Sequence, residues 1–202
     1  MGYLLAALGA YLLGCSNMAL YISKLKKVDI QRNGTGNLGA SNATILLGWG
    51  AGVAVAIHDM GKAVLAVFLA QLLFPELENI RAVAGVACVL GHMFPFYLKF
   101  RGGKGFASYL GMTLAINWKF ALAVLALVVI VTLVTDYIVV GTVTTILSVP
   151  VYMGFTLCWA FAGILFLATG AILWKHRENL VRIFRGTELG LRSAIRGENR
   201  VT

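Results

Sequence analysis

Residues 2–23 read GYLLAALGAYLLGCSNMALYIS and contain no charged side chain. A helix needs about 20 apolar residues to cross roughly 30 Å of hydrocarbon, so this stretch has the length and character of a membrane span. No basic segment precedes it, and the residues after it are rich in functional side-chain types, so it is expected to stay in place as a span rather than be removed as a signal peptide. The rest of the chain has the same character. Of 202 residues, 59% are hydrophobic and only 12% charged, with a mean hydropathy of +0.85. Globular soluble domains hold about 45–50% apolar and about 25% charged residues, so an ordinary soluble domain is excluded. Seventeen Lys and Arg against eight Asp and Glu give a net charge of +9. In a membrane protein that excess points to lipid or phosphate rather than nucleic acid. Cys15, Cys88 and Cys158 are widely spaced in apolar stretches, which indicates packing residues and neither a disulfide framework nor a zinc site.

Further apolar runs follow at 43–74, 82–98, 106–117, 120–135, 137–155 and 156–174. The run 43–74 is interrupted by His58, Asp59 and Lys62. Ionisable groups at membrane depth face a protein interior and pair with one another, and Asp59 and Lys62, three apart, share a helical face and can neutralise each other. The basic residues concentrate in 24–32, 99–104 and 175–200, whereas the turn with Glu76, Glu78 and Arg81 is net acidic. By the positive-inside rule the basic segments face the cytoplasm, placing the N-terminus outside and the C-terminus inside. The segment 106–118 reaches only about 20 Å as a helix, yet parity requires it. The expectation is therefore one all-α integral membrane domain over residues 1–202, with seven transmembrane segments, some short or broken. Five is the alternative.

Three polar islands remain. The first is GTGNLGASN, Gly34 to Asn42. Its Gly34, Gly36 and Gly39 fit Gly-x-Gly-x-x-Gly, but a dinucleotide fingerprint needs a preceding strand and a βαβ unit, and here a membrane span precedes. A flexible interhelical loop and an anion-binding concavity of backbone amides both remain open, and the apolar run after Asn42 would add a helix N-terminus that favours phosphate. The second island holds Gly91, His92 and Pro95, then Lys99, Arg101, Gly102, Gly103, Lys104 and Gly105. A P-loop would need Gly where Leu98 stands and Ser or Thr where Gly105 stands. Lys99 and Arg101 suit a membrane-boundary anchor, whereas Lys104, set between glycines, suits a point charge presented to phosphate. In the third island His176, Asn179 and Arg182 recur every three residues and so share a helical face. Arg185, Arg192, Arg196 and Arg200 are accounted for by a cytoplasmic tail.

Taken together, Gly14, Asp29, the Gly34–Asn42 run, Asp59 with Lys62, Gly91-His92 with Pro95, Gly102 to Gly105, and His176 to Glu188 resemble the PlsY family, the bacterial membrane glycerol-3-phosphate acyltransferases that use acyl phosphate. The resemblance spans nearly the whole chain. It implies seven membrane helices in the bacterial plasma membrane, an active site facing the cytoplasm, and acyl transfer from acyl phosphate to glycerol 3-phosphate to give lysophosphatidate and phosphate. It implies no metal, acyl-CoA or acyl carrier protein, and no cofactor is expected. A monomer among membrane lipids is expected, with no nucleic-acid partner. Carried over residue by residue, Lys104, His176, Asn179 and Thr35 are the expected catalytic residues. Gly34, Gly36, Asn37, Gly39, Asn42, Arg101, Thr142 and Arg182 are expected to bind substrate, and Asp59, Lys62 and Glu188 to support the structure.

The chain departs from the family pattern at Cys15 and Gln31, where Ser and Arg are usual, and at Ile45, where an Arg is usual. A lost charge-assisted contact is worth about 1.5–3 kcal/mol, so an altered or inactive lipid-binding paralogue is one alternative. A small-anion transporter is another, since glycine-broken segments and charged residues near the midplane also suit it. A metal-dependent head-group transferase would need clustered carboxylates, and Asp29, Asp59 and Asp136 are dispersed.

Overall fold

The computed structural model describes residues 1–195, and Arg196 and Arg200 lie outside the described residues. The described residues are helical with no strand: α1 (Gly2–Cys15), α2 (Met18–Leu25), α3 (Ala40–Leu47), α4 (Trp49–Leu73), α5 (Ile80–Met93), α6 (Phe106–Ile116), α7 (Trp118–Thr135), α8 (Ile138–Thr156), α9 (Trp159–Phe184) and α10 (Leu191–Ile195). Six helical segments among them are long and apolar enough to cross a membrane, α1 and α2 counting as one from Gly2 to Leu25. The short helix α6 rises only about 16 Å. The burial pattern is inverted relative to a soluble protein. Leu4, Leu12, Ile57, Phe68, Leu72, Ile130 and Phe155 are exposed, while Asp59, Lys62, His92 and many alanines are buried. Large apolar side chains facing outward need hydrocarbon around them, so the protein is integral to a membrane.

The chain divides into two compact units, Met1–Ile116 and Asn117–Thr202. In the first, α1 and α5 touch backbone to backbone. A Cβ on Gly14 would lie 2.1 Å from the Cys88 carbonyl oxygen, and one on Gly91 would lie 2.1 Å from that of Tyr11. Tyr11 pairs with Gly91 and Gly14 with Cys88, so the two helices run antiparallel. Small residues that permit such approach are what drives helix association in lipid, where burial of apolar surface gains little. The first span breaks at Ser16–Asn17, where Asn17 leaves helical geometry and accepts from the Leu20 amide at 2.9 Å.

The apolar run 43–74 is two helices rather than one. Gly48 has φ +93° and separates α3 from α4, and α3 begins at Ala40, inside the polar island. Gly52 lets the two pack tightly, for a Cβ there would collide with the Thr44 hydroxyl.

In the second unit, Asn117 caps α7 through the Phe120 amide at 3.0 Å, Gly141 brings α8 against the Val128 carbonyl of α7, and the Thr169 hydroxyl of α9 donates to Ile146 O of α8 at 2.8 Å. Helix α9 continues ten residues past the apolar run that ends at Trp174, because Lys, Arg, Glu and Leu are good helix formers and nothing stops it before Gly186, whose φ is +68°. Cys15 and Cys88 are buried as expected, but Cys158 is exposed. Its sulfur caps α9 by accepting from the Phe161 amide at 3.4 Å, so it is a helix cap and not a packing residue.

Candidate functional site

The loop from Asp29 to Gly39 is held by two apolar pegs and one buried amide. Ile30 and Leu38, each 1% exposed, insert into the apolar cluster of Ala19, Ala43, Leu47 and Val55. The Asn42 side chain lies at the centre of the loop. Its Oδ1 accepts from the Thr35 amide at 2.9 Å, and its Nδ2 donates to the carbonyls of Ile30, Asn33 and Asn37 at 3.1, 3.3 and 3.1 Å. Asn17 ties the loop to the first span by donating to Leu38 O at 3.2 Å. Gly34 and Gly36 have φ of +61° and +67°, and a Cβ on Gly34 would collide with Asn42 Oδ1.

This geometry modifies the picture of a cradle made of backbone amides. The Thr35 N–H is spent on Asn42 and the Gly36 N–H donates to Asn33 O at 3.1 Å, because those bonds set the turn itself. Thr35 is nevertheless exposed, as are Gly34 and Gly36, while Asn37 is half-buried and Gly39 buried. Asn42 is fully buried, so its amide shapes the loop from beneath.

Asp59 and Lys62 pair at 2.9 Å with both side chains buried. The group they belong to is larger than the pair. Lys62 Nζ also donates to the backbone oxygen of Ser16 at 2.7 Å and lies 2.9 Å from His92 Nδ1. His58 Nδ1 lies 3.4 Å from Asp59 Oδ1, and its Nε2 lies 3.0 Å from Ser16 Oγ, which in turn is 3.2 Å from the Tyr21 hydroxyl. One polar network thus links the break in the first span, α4 and α5. The sequence marks His58 as an ionisable interruption of the run 43–74, but gives no role to Ser16 or Tyr21. The signal available was the polar pair Ser16–Asn17 in the middle of an apolar run and the position of His58 next to Asp59.

The glycine-rich loop Gly102–Gly105 packs on the end of α5. Gly102 N donates to Met93 O and Gly103 N to His92 O, both at 3.1 Å. A Cβ on Gly103 would collide with the His92 imidazole. Gly105, with φ +92°, opens α6 by accepting from the Tyr109 amide at 2.9 Å. Lys104 is half-buried between them and Arg101 is exposed.

In the second unit, α9 carries His176, Asn179 and Arg182, and Glu188 folds back on two of them. Asn179 Nδ2 donates to Glu188 Oε1 at 2.5 Å and Arg182 Nε to Oε2 at 2.6 Å. One carboxylate thus engages both donors through its two oxygens, a fork geometry that equally suits phosphate. His176 and Asn179 are buried, and His176 Nδ1 lies 2.9 Å from Ile172 O one turn back. Thr142 is buried on α8, and its hydroxyl donates to Ile138 O at 3.0 Å.

Arg192 is more than tail charge. Its amide donates to Asp136 Oδ1 at 2.9 Å and its guanidinium to Leu133 O at 3.0 Å, while Leu191 N donates to Asp136 O at 2.7 Å. The segment after α9 is therefore strapped to the α7–α8 turn, and Gly190 is required because a Cβ there would collide with the Asp136 carboxylate. Among the described residues no group of three or more His, Cys, Asp or Glu is placed to hold a metal ion. The site elements offer cations, amide donors and hydroxyls, a set suited to phosphate groups.

Comparison with known proteins places this set in a family. The glycerol-3-phosphate acyltransferase family matches residues 4–186. The chain is 35% identical to glycerol-3-phosphate acyltransferase 1 of Oceanobacillus iheyensis, covering 96% of this chain and 97% of that one. It is 37% identical to the glycerol-3-phosphate acyltransferase of Thermoanaerobacter pseudethanolicus, covering 95% and 98%. Among solved structures, the glycerol 3-phosphate form of PlsY, an integral membrane glycerol 3-phosphate acyltransferase, superposes with a TM-score of 0.87 at 31% identity, covering 94% of this chain and 96% of that one. The lysophosphatidic acid form superposes with a TM-score of 0.85. With the match running through every polar island, the chain belongs to the glycerol-3-phosphate acyltransferase family of PlsY.

Proposed function

We propose that this chain transfers a fatty acyl group from acyl phosphate to the 1-hydroxyl of glycerol 3-phosphate, yielding 1-acyl-glycerol 3-phosphate and inorganic phosphate for phospholipid synthesis. The observation that carries this reading is the similarity over 94% of the chain to PlsY in its glycerol 3-phosphate and lysophosphatidic acid forms. The chemistry available in the chain supports it. Acyl phosphate is already activated and leaves as phosphate, so the protein's task is to position two anionic substrates and stabilise developing charge. In the proposed step the glycerol hydroxyl oxygen attacks the acyl carbonyl, the carbon–oxygen bond to phosphate breaks, and the hydroxyl proton passes to a phosphate oxygen.

In this reading Thr35, exposed on the loop, and the backbone of Gly34, Gly36, Asn37 and Gly39 receive the acyl phosphate, with Asn42 fixing the shape of the loop. Lys104 offsets phosphate charge, with Arg101 nearby in sequence at the loop's outer end. His176, Asn179 and Arg182 hold glycerol 3-phosphate, Thr142 lines the site, and Glu188 orders Asn179 and Arg182. Asp59 and Lys62 are structural.

We further propose that residues 1–202 act as one acyltransferase domain, monomeric in the bacterial plasma membrane. It has seven membrane segments with α6 as the short one, the N-terminus outside, and the C-terminus and active site on the cytoplasmic side. The distribution of Lys and Arg supports this orientation. The deciding experiment supplies detergent-purified protein with palmitoyl phosphate and labelled glycerol 3-phosphate. Labelled lysophosphatidate and released phosphate in equal amounts are expected. No product from protein that melts cooperatively would remove the assignment.

A further inference from the structure

We infer that His92 is a positioning residue for Lys104, held in place by the buried Asp59–Lys62 pair; this rests on the proposed role of Lys104. An ammonium has three protons and no lone pair. Those of Lys62 are directed at Asp59 Oδ1 (2.9 Å), Ser16 O (2.7 Å) and His92 Nδ1 (2.9 Å). His92 Nδ1 also lies 3.4 Å from Asp59 Oδ1, but the ammonium is nearer at 2.9 Å and has only protons to offer, so we assign Nδ1 as its acceptor and the imidazole proton to Nε2, at the opposite edge of the ring. Asp59, Lys62 and His92 are 1%, 5% and 3% exposed, so both the tautomer and the plane of the ring are set inside the protein.

The Nε2 edge of that ring faces Gly103. A Cβ built on Gly103 would lie 2.1 Å from Nε2 and 2.6 Å from Cε1, and one on Gly102 would lie 2.1 Å from the His92 backbone oxygen. The Gly103 amide donates to that same oxygen at 3.1 Å. His92 therefore holds the loop twice, by its carbonyl through a hydrogen bond and by its ring through van der Waals contact. Lys104 is the next residue, followed by Gly105, which anchors the start of α6. A side chain on a segment pinned at both ends inherits its position from the pins. Supporting groups of this kind hold a reacting constellation within about 0.5 Å. This also gives the buried ion pair a purpose, since such pairs are weak sources of stability and are retained in some proteins for specificity of arrangement.

The test compares His92→Ala, His92→Asn, His92→Gln, Gly103→Ala and Lys104→Ala in purified enzyme, reading kcat, KM for each substrate and melting temperature. His92→Asn keeps an acceptor for Lys62 and leaves the Gly103 side empty, whereas His92→Gln keeps an amide nitrogen on the Gly103 side. A positioning role predicts that His92→Asn holds the melting temperature but loses about 100-fold in kcat, and that His92→Gln recovers most of that loss. Wild-type kcat in His92→Asn overturns the inference, because a merely structural partner for Lys62 would be satisfied there. If the His92 variants do not fold, Gly103→Ala carries the test with the ion pair intact. A comparable loss of kcat is expected, and normal turnover overturns the inference. Near-normal turnover in Lys104→Ala instead removes the role of Lys104 itself. An inactive Lys104→Ala beside a fully active Gly103→Ala removes the positioning role alone.

Discussion

At the scale of single residues, the polar side chains divide into those that shape a loop and those proposed to meet substrate. Lys104 belongs to the second kind. Replacing it with Ala is expected to lower kcat by about 100- to 1,000-fold, as for loss of one charge-stabilising group, with little change in melting temperature because it is half-buried at the surface of a loop. Turnover near the wild-type rate would exclude it from the mechanism. Asn179 behaves differently, since it is buried and donates to Glu188. Asn179→Ala is expected to lower both kcat and stability, the latter by about 1.5–3 kcal/mol for the loss of a hydrogen bond to a charged group, measured by assay and melting in parallel. Ile45 is half exposed on α3, where the family resemblance implies an Arg. Ile45→Arg is expected to lower KM for a phosphate substrate about tenfold or more, the equivalent of a charge-assisted hydrogen bond. An unchanged KM would show that another group already supplies that contact.

At the scale of elements, the contacts that matter are backbone to backbone. Gly91→Ala would place a methyl group against the Tyr11 carbonyl. Overpacking of this kind costs about 1–3 kcal/mol, so a lower melting temperature is expected with KM unchanged. The apolar spans were legible because hydropathy accumulates locally, residue by residue. The break at Gly48 was not, because the apolar character continues across it and only the left-handed backbone of one glycine ends α3. The extension of α9 to Phe184 was hidden for the opposite reason, since hydropathy falls after Trp174 while helix propensity does not. The glycines of the second island were legible as special, but their reason was not: Gly102 and Gly103 make room for His92.

At the scale of the whole molecule, the placement of Lys and Arg predicts the orientation in the bilayer. A fluorescent protein fused after Thr202 is expected to fold and fluoresce in the cytoplasm, and a reporter active only outside the membrane is expected to be active in the turn with Glu76 and Glu78 and silent when inserted at Arg101. The reverse pattern would invert the topology.

Composition, hydropathy and the spacing of glycines and cations were enough to establish a basic, all-helical membrane protein with polar islands at the ends of its spans. These are local properties, and they survive without knowing which helix touches which. The tertiary structure alone decided the partners. Lys62 meets Ser16 across 46 residues and His92 across 30, Arg192 meets Asp136 across 56, and Asn42 turns inward to hold the loop that the linear pattern presents as a binding motif. Buried charges and amides must find complementary groups wherever packing brings them, and packing is set by which small residues let two backbones touch. That information lies in pairs of positions distant along the chain, and only the folded chain brings them together.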